Sequence, residues 1–68
     1  PVNERQRLVL NRLLDGFEGK LTTSKWAKLT KSSPDTALRD IMALVERGIL
    51  VRGKGGGRST SYALAPRT

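Results

Sequence analysis

The chain is 68 residues long, carries a formal net charge of +7, and contains neither cysteine nor histidine. Its length argues for one domain with a thin core and no deep substrate pocket, and the missing residue types exclude disulfides, thiolate zinc and the commonest general base, so neither a metal nor a cofactor site is readable. The charge points to a polyanionic partner, nucleic acid before membrane, and the lack of a long apolar run or signal-peptide pattern makes a soluble, cytoplasmic protein without a membrane partner the expectation.

In chain order, Asn3 and Gln6 have the spacing of a capping box, and the apolar side chains of Leu10, Leu13, Leu14 and Phe17 follow, which predicts a helix over about residues 4–15. Gly16 and Gly19 bracket a turn. Lys20, Leu21 and Thr22 are too few for an independent strand but enough for a one-bridge edge pairing. Thr23 is the expected cap of a second helix, about residues 24–30, with Trp26, Ala27 and Leu29 inward and Lys25 and Lys28 outward.

The third helix, about residues 34–47, is the most clearly marked. Ser33 can accept from a free N–H of the first turn, Pro34 loses only an N–H without a partner, and Gly48 stands where a left-handed residue closes a helix. Ala37, Leu38, Ile41, Leu44 and Val45 define the predicted core face; Asp35, Thr36, Arg39, Asp40, Ala43, Glu46 and Arg47 define the exposed one. After Gly48, ILVR and STSYAL read as two strands around the loop GKGGGR, a β-hairpin of about residues 49–64 with a basic tip. The tail APRT adds no element.

Two short helices joined by a tight turn, the second strongly capped, fit a helix-turn-helix. With the stub strand and hairpin the predicted fold is α+β, mainly α: a winged helix-turn-helix spanning residues 1–68. The charge excess flanks its third helix, since residues 20–32 carry Lys20, Lys25, Lys28 and Lys31, and residues 49–68 carry Arg52, Lys54, Arg58 and Arg67, all without an acid.

The run Ser33, Thr36, Arg39, Asp40, Leu44, Gly48, then Arg52 and the glycines of GKGGG, resembles winged-helix regulators including the DeoR-like group. A resemblance covering nearly the whole chain, through LNRLLDGFEGKLTTSKWAKLTKSSPDTALRDI, LVERGIL and GGGRSTSY, is to the C-terminal winged-helix domain of Fic-family proteins. That family transfers AMP or related groups to hydroxyl side chains, using an HPFx(D/E)GNGR loop on a separate helical domain. Without a histidine this chain lacks the loop, so the resemblance implies an accessory module beside a Fic catalytic domain and not an enzyme. A start at Pro1 is what a piece of a larger protein would show, as would removal of an initiator methionine. Two departures from the common helix-turn-helix pattern stand out. Lys31 replaces the turn glycine, which predicts a looser turn, and Thr30 and Ser32 replace aliphatic residues, leaving space for Trp26 to fill.

As a reader of double-stranded DNA, the chain offers Thr36 and Arg39 one turn apart beside Ser33, with Arg39 suited to guanine O6 and N7 and Asp35 to cytosine N4. The alternative is an Asp35–Arg39 pair in solvent, worth roughly 0.3 kcal/mol. Acids on a groove-facing surface oppose DNA phosphates, which is the main internal argument against tight binding. Lys25, Lys28 and Lys31 can grip the backbone or serve solubility alone. Lys54 and Arg58 at the hairpin tip can contact phosphates, aided by Ser59 or Thr60, or belong to a solvated loop. GKGGGRST lacks the GxxxxGK[ST] spacing of a nucleotide-binding loop and precedes a strand pattern instead of a helix, so that reading is rejected. Trp26 and Tyr62 are expected in the core. No nucleophile–base pair is present, which leaves a DNA-binding domain or a protein-docking or homodimerising module.

Overall fold

The computed structural model describes residues 2–17, 20–53 and 60–66. Three helices, α1 (Glu4–Leu14), α2 (Thr23–Thr30) and α3 (Pro34–Glu46), precede two strands, β1 (Leu50–Arg52) and β2 (Tyr62–Leu64). The strands pair antiparallel with Leu50 opposite Leu64 and Arg52 opposite Tyr62. Leu21 forms a single antiparallel bridge to Tyr62, whose N–H donates to the Leu21 carbonyl at 2.8 Å. The fold is the predicted winged helix-turn-helix, stub strand included, and no helix among the described residues is long and apolar enough to cross a membrane.

The helix starts follow their side chains. At α1 the capping box is complete: Asn3 Oδ1 accepts from the Gln6 N–H at 2.8 Å, and Gln6 Oε1 accepts from the Asn3 N–H at 2.9 Å. At α2 the cap is Thr22, accepting from the Lys25 N–H at 3.2 Å, and not the expected Thr23. The reason is the bridge at Leu21, which leaves Thr22 extended and able to turn its hydroxyl onto the new helix. Ser33 caps α3 as predicted, with Pro34 next.

The ends of α2 and α3 share one device. Gly48 is left-handed (φ 75°), its N–H donates to Val45 and that of Ile49 to Leu44, the paired bonds of a Schellman closure. Lys31 occupies the equivalent position after α2 at φ 53°, ψ 46°, and the Ser32 N–H donates to the Ala27 carbonyl at 3.0 Å. The turn is therefore closed, contrary to the looser one expected from a lysine there. Thr30 gives its hydroxyl proton to the Trp26 carbonyl at 2.9 Å, so the Ser32 hydroxyl donates to Thr30 Oγ1 at 2.7 Å, and these bonds satisfy the two polar substituents.

The core consists of Val9, Leu21, Trp26, Ala37, Ile41, Leu44, Leu50 and Tyr62, with Trp26 its largest member. In α1 the inward residues are Gln6 and Val9, with Leu10 and Leu13 half-buried; Leu14, expected inside, is 72% exposed at the end of the helix. In α3 the buried set is Ala37, Asp40, Ile41 and Leu44. Two assignments for α3 change accordingly. Leu38, expected in the core, lies on the flank of that stripe and is 44% exposed. Asp40, expected on the exposed face, falls three residues after Ala37 and four before Leu44 and is carried inside.

Candidate nucleic-acid interface

Asp35, Leu38, Arg39, Met42, Ala43 and Glu46 line an open groove along the outer side of α3, and half-buried Met42 also packs against the core. Their spacing of three and four residues repeats the core pattern half a turn away. At the start of this helix Ser33 Oγ accepts from the Thr36 N–H at 3.2 Å and donates to Thr36 Oγ1 at 3.0 Å. Ser33 is thus occupied in capping, while Thr36 keeps its own hydroxyl proton for an outside acceptor. Asp35 and Arg39 are both exposed and form no ion pair with each other, so the solvent pairing weighed against base contact is not made here.

Lys25, Lys28 and Lys31 are exposed along α2 and at its end. Lys25 Nζ lies 5.5 Å from the centre of the Phe17 ring, a cation–π distance that engages its ammonium. Lys54, Arg58 and Ser59, the hairpin-tip candidates, lie outside the described residues. Arg52, not among the predicted contacts, leaves β1 toward α3, where its Nη2 donates to Met42 Sδ at 3.7 Å. This brings a cation to the edge of the α3 groove, and the available sequence signal was its position in an acid-free C-terminal segment.

Behind this surface sits one buried charge. Arg5 grips Asp40 through Nε to Oδ2 at 2.7 Å and Nη2 to Oδ1 at 3.2 Å, Asn3 Nδ2 donates to Oδ1 at 3.0 Å, and Gln6 Nε2 donates to the Asp40 carbonyl at 3.0 Å. Burial pushes the Asp40 carboxyl up, but the Arg5 and Asn3 hydrogen bonds and the Arg5 charge outweigh it and hold the group below the usual carboxylate range. The Trp26 indole N–H adds a smaller push the same way without reaching hydrogen-bond geometry, and its buried Nε1 has no acceptor among the described residues. The capping box of α1 is therefore wired to the middle of α3, and one of the acids expected to repel phosphates is neutralised inside.

The model of the DeoR-like helix-turn-helix domain matches residues 5–62, from the Arg5 of this cluster to the Tyr62 that bridges the stub strand. The chain belongs to the DeoR-like helix-turn-helix family. It is accordingly a DNA-binding winged helix and not a catalytic module. This DeoR-like domain is also similar to part of the crystal structure of the DIP2311 protein from Corynebacterium diphtheriae, at 31% identity and a TM-score of 0.77 over 91% of this chain. It spans 11% of the length of that protein. No curated protein matches. Among the described residues no cluster of three or more acidic side chains is placed to hold a metal ion.

Proposed function

We propose that the domain binds double-stranded DNA with α3 in the major groove, Lys25 and Lys28 of α2 and Lys31 at its end on the backbone, and Lys54 and Arg58 on neighbouring phosphates. The observation that carries this reading is the outward face of α3, where Arg39 is exposed with no ion-pair partner among the described residues, together with half-buried Thr36 in the first turn, whose hydroxyl donates to none of them. Withdrawal of Asp40 into the Arg5 pair removes part of the electrostatic objection. The test is fluorescence anisotropy on random-sequence duplex at low and moderate salt, beside an Arg39→Ala, Lys54→Ala, Arg58→Ala triple variant. Affinity should fall with salt, by a slope of about 0.9 per phosphate contacted, and be largely lost in the variant. Binding that ignores salt, or a variant that binds as well as the parent, refutes the reading.

The larger setting belongs to the same proposal: an accessory, regulatory module of a longer Fic-like protein, acting in transcription or delivering an attached Fic catalytic domain to DNA. Its support is the resemblance running through LNRLL, RDI and GGGRSTSY. A second reading, a docking or homodimerising module of a Fic-family AMP-transferase, draws on a separate apolar groove formed by Leu10, Leu14, Ile49, Leu64 and Pro66. A salt-insensitive protein contact or a stable dimer in sedimentation, with no duplex binding, would favour it.

A further inference from the structure

The outward face of α3 is not a uniformly polar surface. Leu38 is 44% exposed although nothing in the core calls for its position, and with half-buried Met42 and Ala43 it forms an apolar strip along the groove. The strip is edged by Asp35, Arg39 and Glu46, and Arg52 reaches its rim through the Met42 sulfur. A helix that served only to hold phosphates would gain nothing from an exposed leucine there, and more from lysine; half-buried Met42 packs against the core and leaves only its outer part on the strip. In the major groove one base edge alone is apolar, the C5-methyl of thymine.

We infer that Leu38, with Met42 and Ala43, is a thymine-methyl contact, so that the domain discriminates thymine from the other bases at the positions this strip covers. The inference rests on the DNA-binding reading above and names what α3 reads. Duplex DNA, and not an apolar protein segment, is the occupant because of the surrounding charge: Arg39 lines the groove, Arg52 stands at its edge, and Lys25, Lys28 and Lys31 lie exposed on the neighbouring helix. Leu38 supplies the flexible apolar end, Met42 conforms to the base edge through its unbranched thioether, and Ala43 lets the helix approach closely. Arg39, beside the strip, would then read a guanine adjacent to the thymine.

The experiment selects preferred duplexes from a random library with the 68-residue chain, then resynthesises the winner with deoxyuridine replacing thymidine one position at a time. Uracil keeps every hydrogen-bonding group and loses only the methyl. The expected result is a loss of roughly fourfold in affinity at one or two positions, the worth of one buried methyl. Leu38→Ala, at an exposed position where folding is preserved and checked by thermal melting, should bind the thymine and uracil duplexes alike. Equal affinity of the parent for thymine and uracil at every position, with duplex binding intact, overturns this inference and leaves the DNA-binding reading standing. Absence of duplex binding at low salt overturns both.

Discussion

Lys31 holds the turn between α2 and α3 in a conformation that ordinarily favours glycine, so Lys31→Gly separates what that residue does for folding from what it does for binding. At φ 53° and ψ 46° an L-residue carries about 1–2 kcal/mol of steric cost, which glycine relieves. Glycine also gains freedom in the unfolded chain, which returns about 0.4–1 kcal/mol. The net expectation is a stabilisation of about 0.5–1 kcal/mol, or a Tm rise of about 3–6 °C for a domain of this size. The Ser32 N–H to Ala27 bond that closes the turn involves neither side chain and survives the change. Lys31→Ala removes the same charge but keeps Cβ, so the difference between the glycine and alanine variants, read by thermal denaturation at one ionic strength, isolates the backbone contribution. Binding should move the other way: both variants lose one cation beside α3, and the salt slope on random duplex should fall by about 0.9 if Lys31 holds one phosphate. If the glycine and alanine variants melt together, the strain assigned to this turn is absent.

Two further changes test the packing behind the interface. Asp40 has a folded-state pKa below its unfolded value, so the stability from its ionisation is complete above the unfolded value of about 3.9 and is lost as pH falls through the lower folded value. Asp40→Asn should therefore be less stable than the parent in urea at pH 7, with the gap closing as pH is lowered below about 4; a gap that stays constant with pH would mean the carboxylate charge is not what matters. Gly53→Ala places a Cβ 2.5 Å from Ser61 Oγ, which forces the buried Ser61 side chain to a new rotamer at a cost of about 1 kcal/mol. Adding Ser61→Ala should restore most of the loss, and failure of that rescue would show that the backbone approach, not the hydroxyl, is limiting.

What could be read from the sequence follows how local the determining interaction is. Caps at Asn3 and Ser33, the closing Gly48 and the alternation at Tyr62 and Leu64 depend on neighbours within a few residues, and the elements they mark appear where expected. The one-residue shift at Thr22 depends on the bridge between Leu21 and Tyr62: the local sequence marks a stub strand there but does not name its distant partner or the residue at which the bridge ends. At Asp40 spacing outweighs residue type: a carboxylate favours solvent, yet its offset from Ala37 and Leu44 puts it on the core face, where Arg5 of α1 and the cap residue Asn3 hold it. Leu38 is the converse, a leucine assigned inward by type and placed outward by its position on the flank of the stripe. The exposure of Lys25, Lys28 and Lys31 could be read from sequence because charged ends seek water, whereas the approach of Arg52 to the α3 groove arises from its tertiary contact with Met42.

The Arg5–Asp40 pair also divides the work of the interface. With Asp40 neutralised internally, the remaining charged residues of the α3 segment are Asp35 and Glu46 against Arg39 and Arg47, so the segment brings no net charge to a polyanion. On the DNA-binding reading proposed above, attraction to the polyanion would then come from Lys25 and Lys28 on α2, from Lys31 at its end, and from Arg52, Lys54 and Arg58. In the proposed complex those groups would contact phosphates without regard to sequence, while the electroneutral face of α3, with Leu38 and Arg39 and with Thr36 in its first turn, would be where base identity is read. Substitutions on α2 and the hairpin should change affinity and its salt slope together across all sequences. Substitutions at Leu38 or Thr36 should instead leave the slope unchanged and alter the ratio of preferred to random duplex binding; a slope that changed with Leu38→Ala would place that side chain's effect on the phosphate backbone and undo this division.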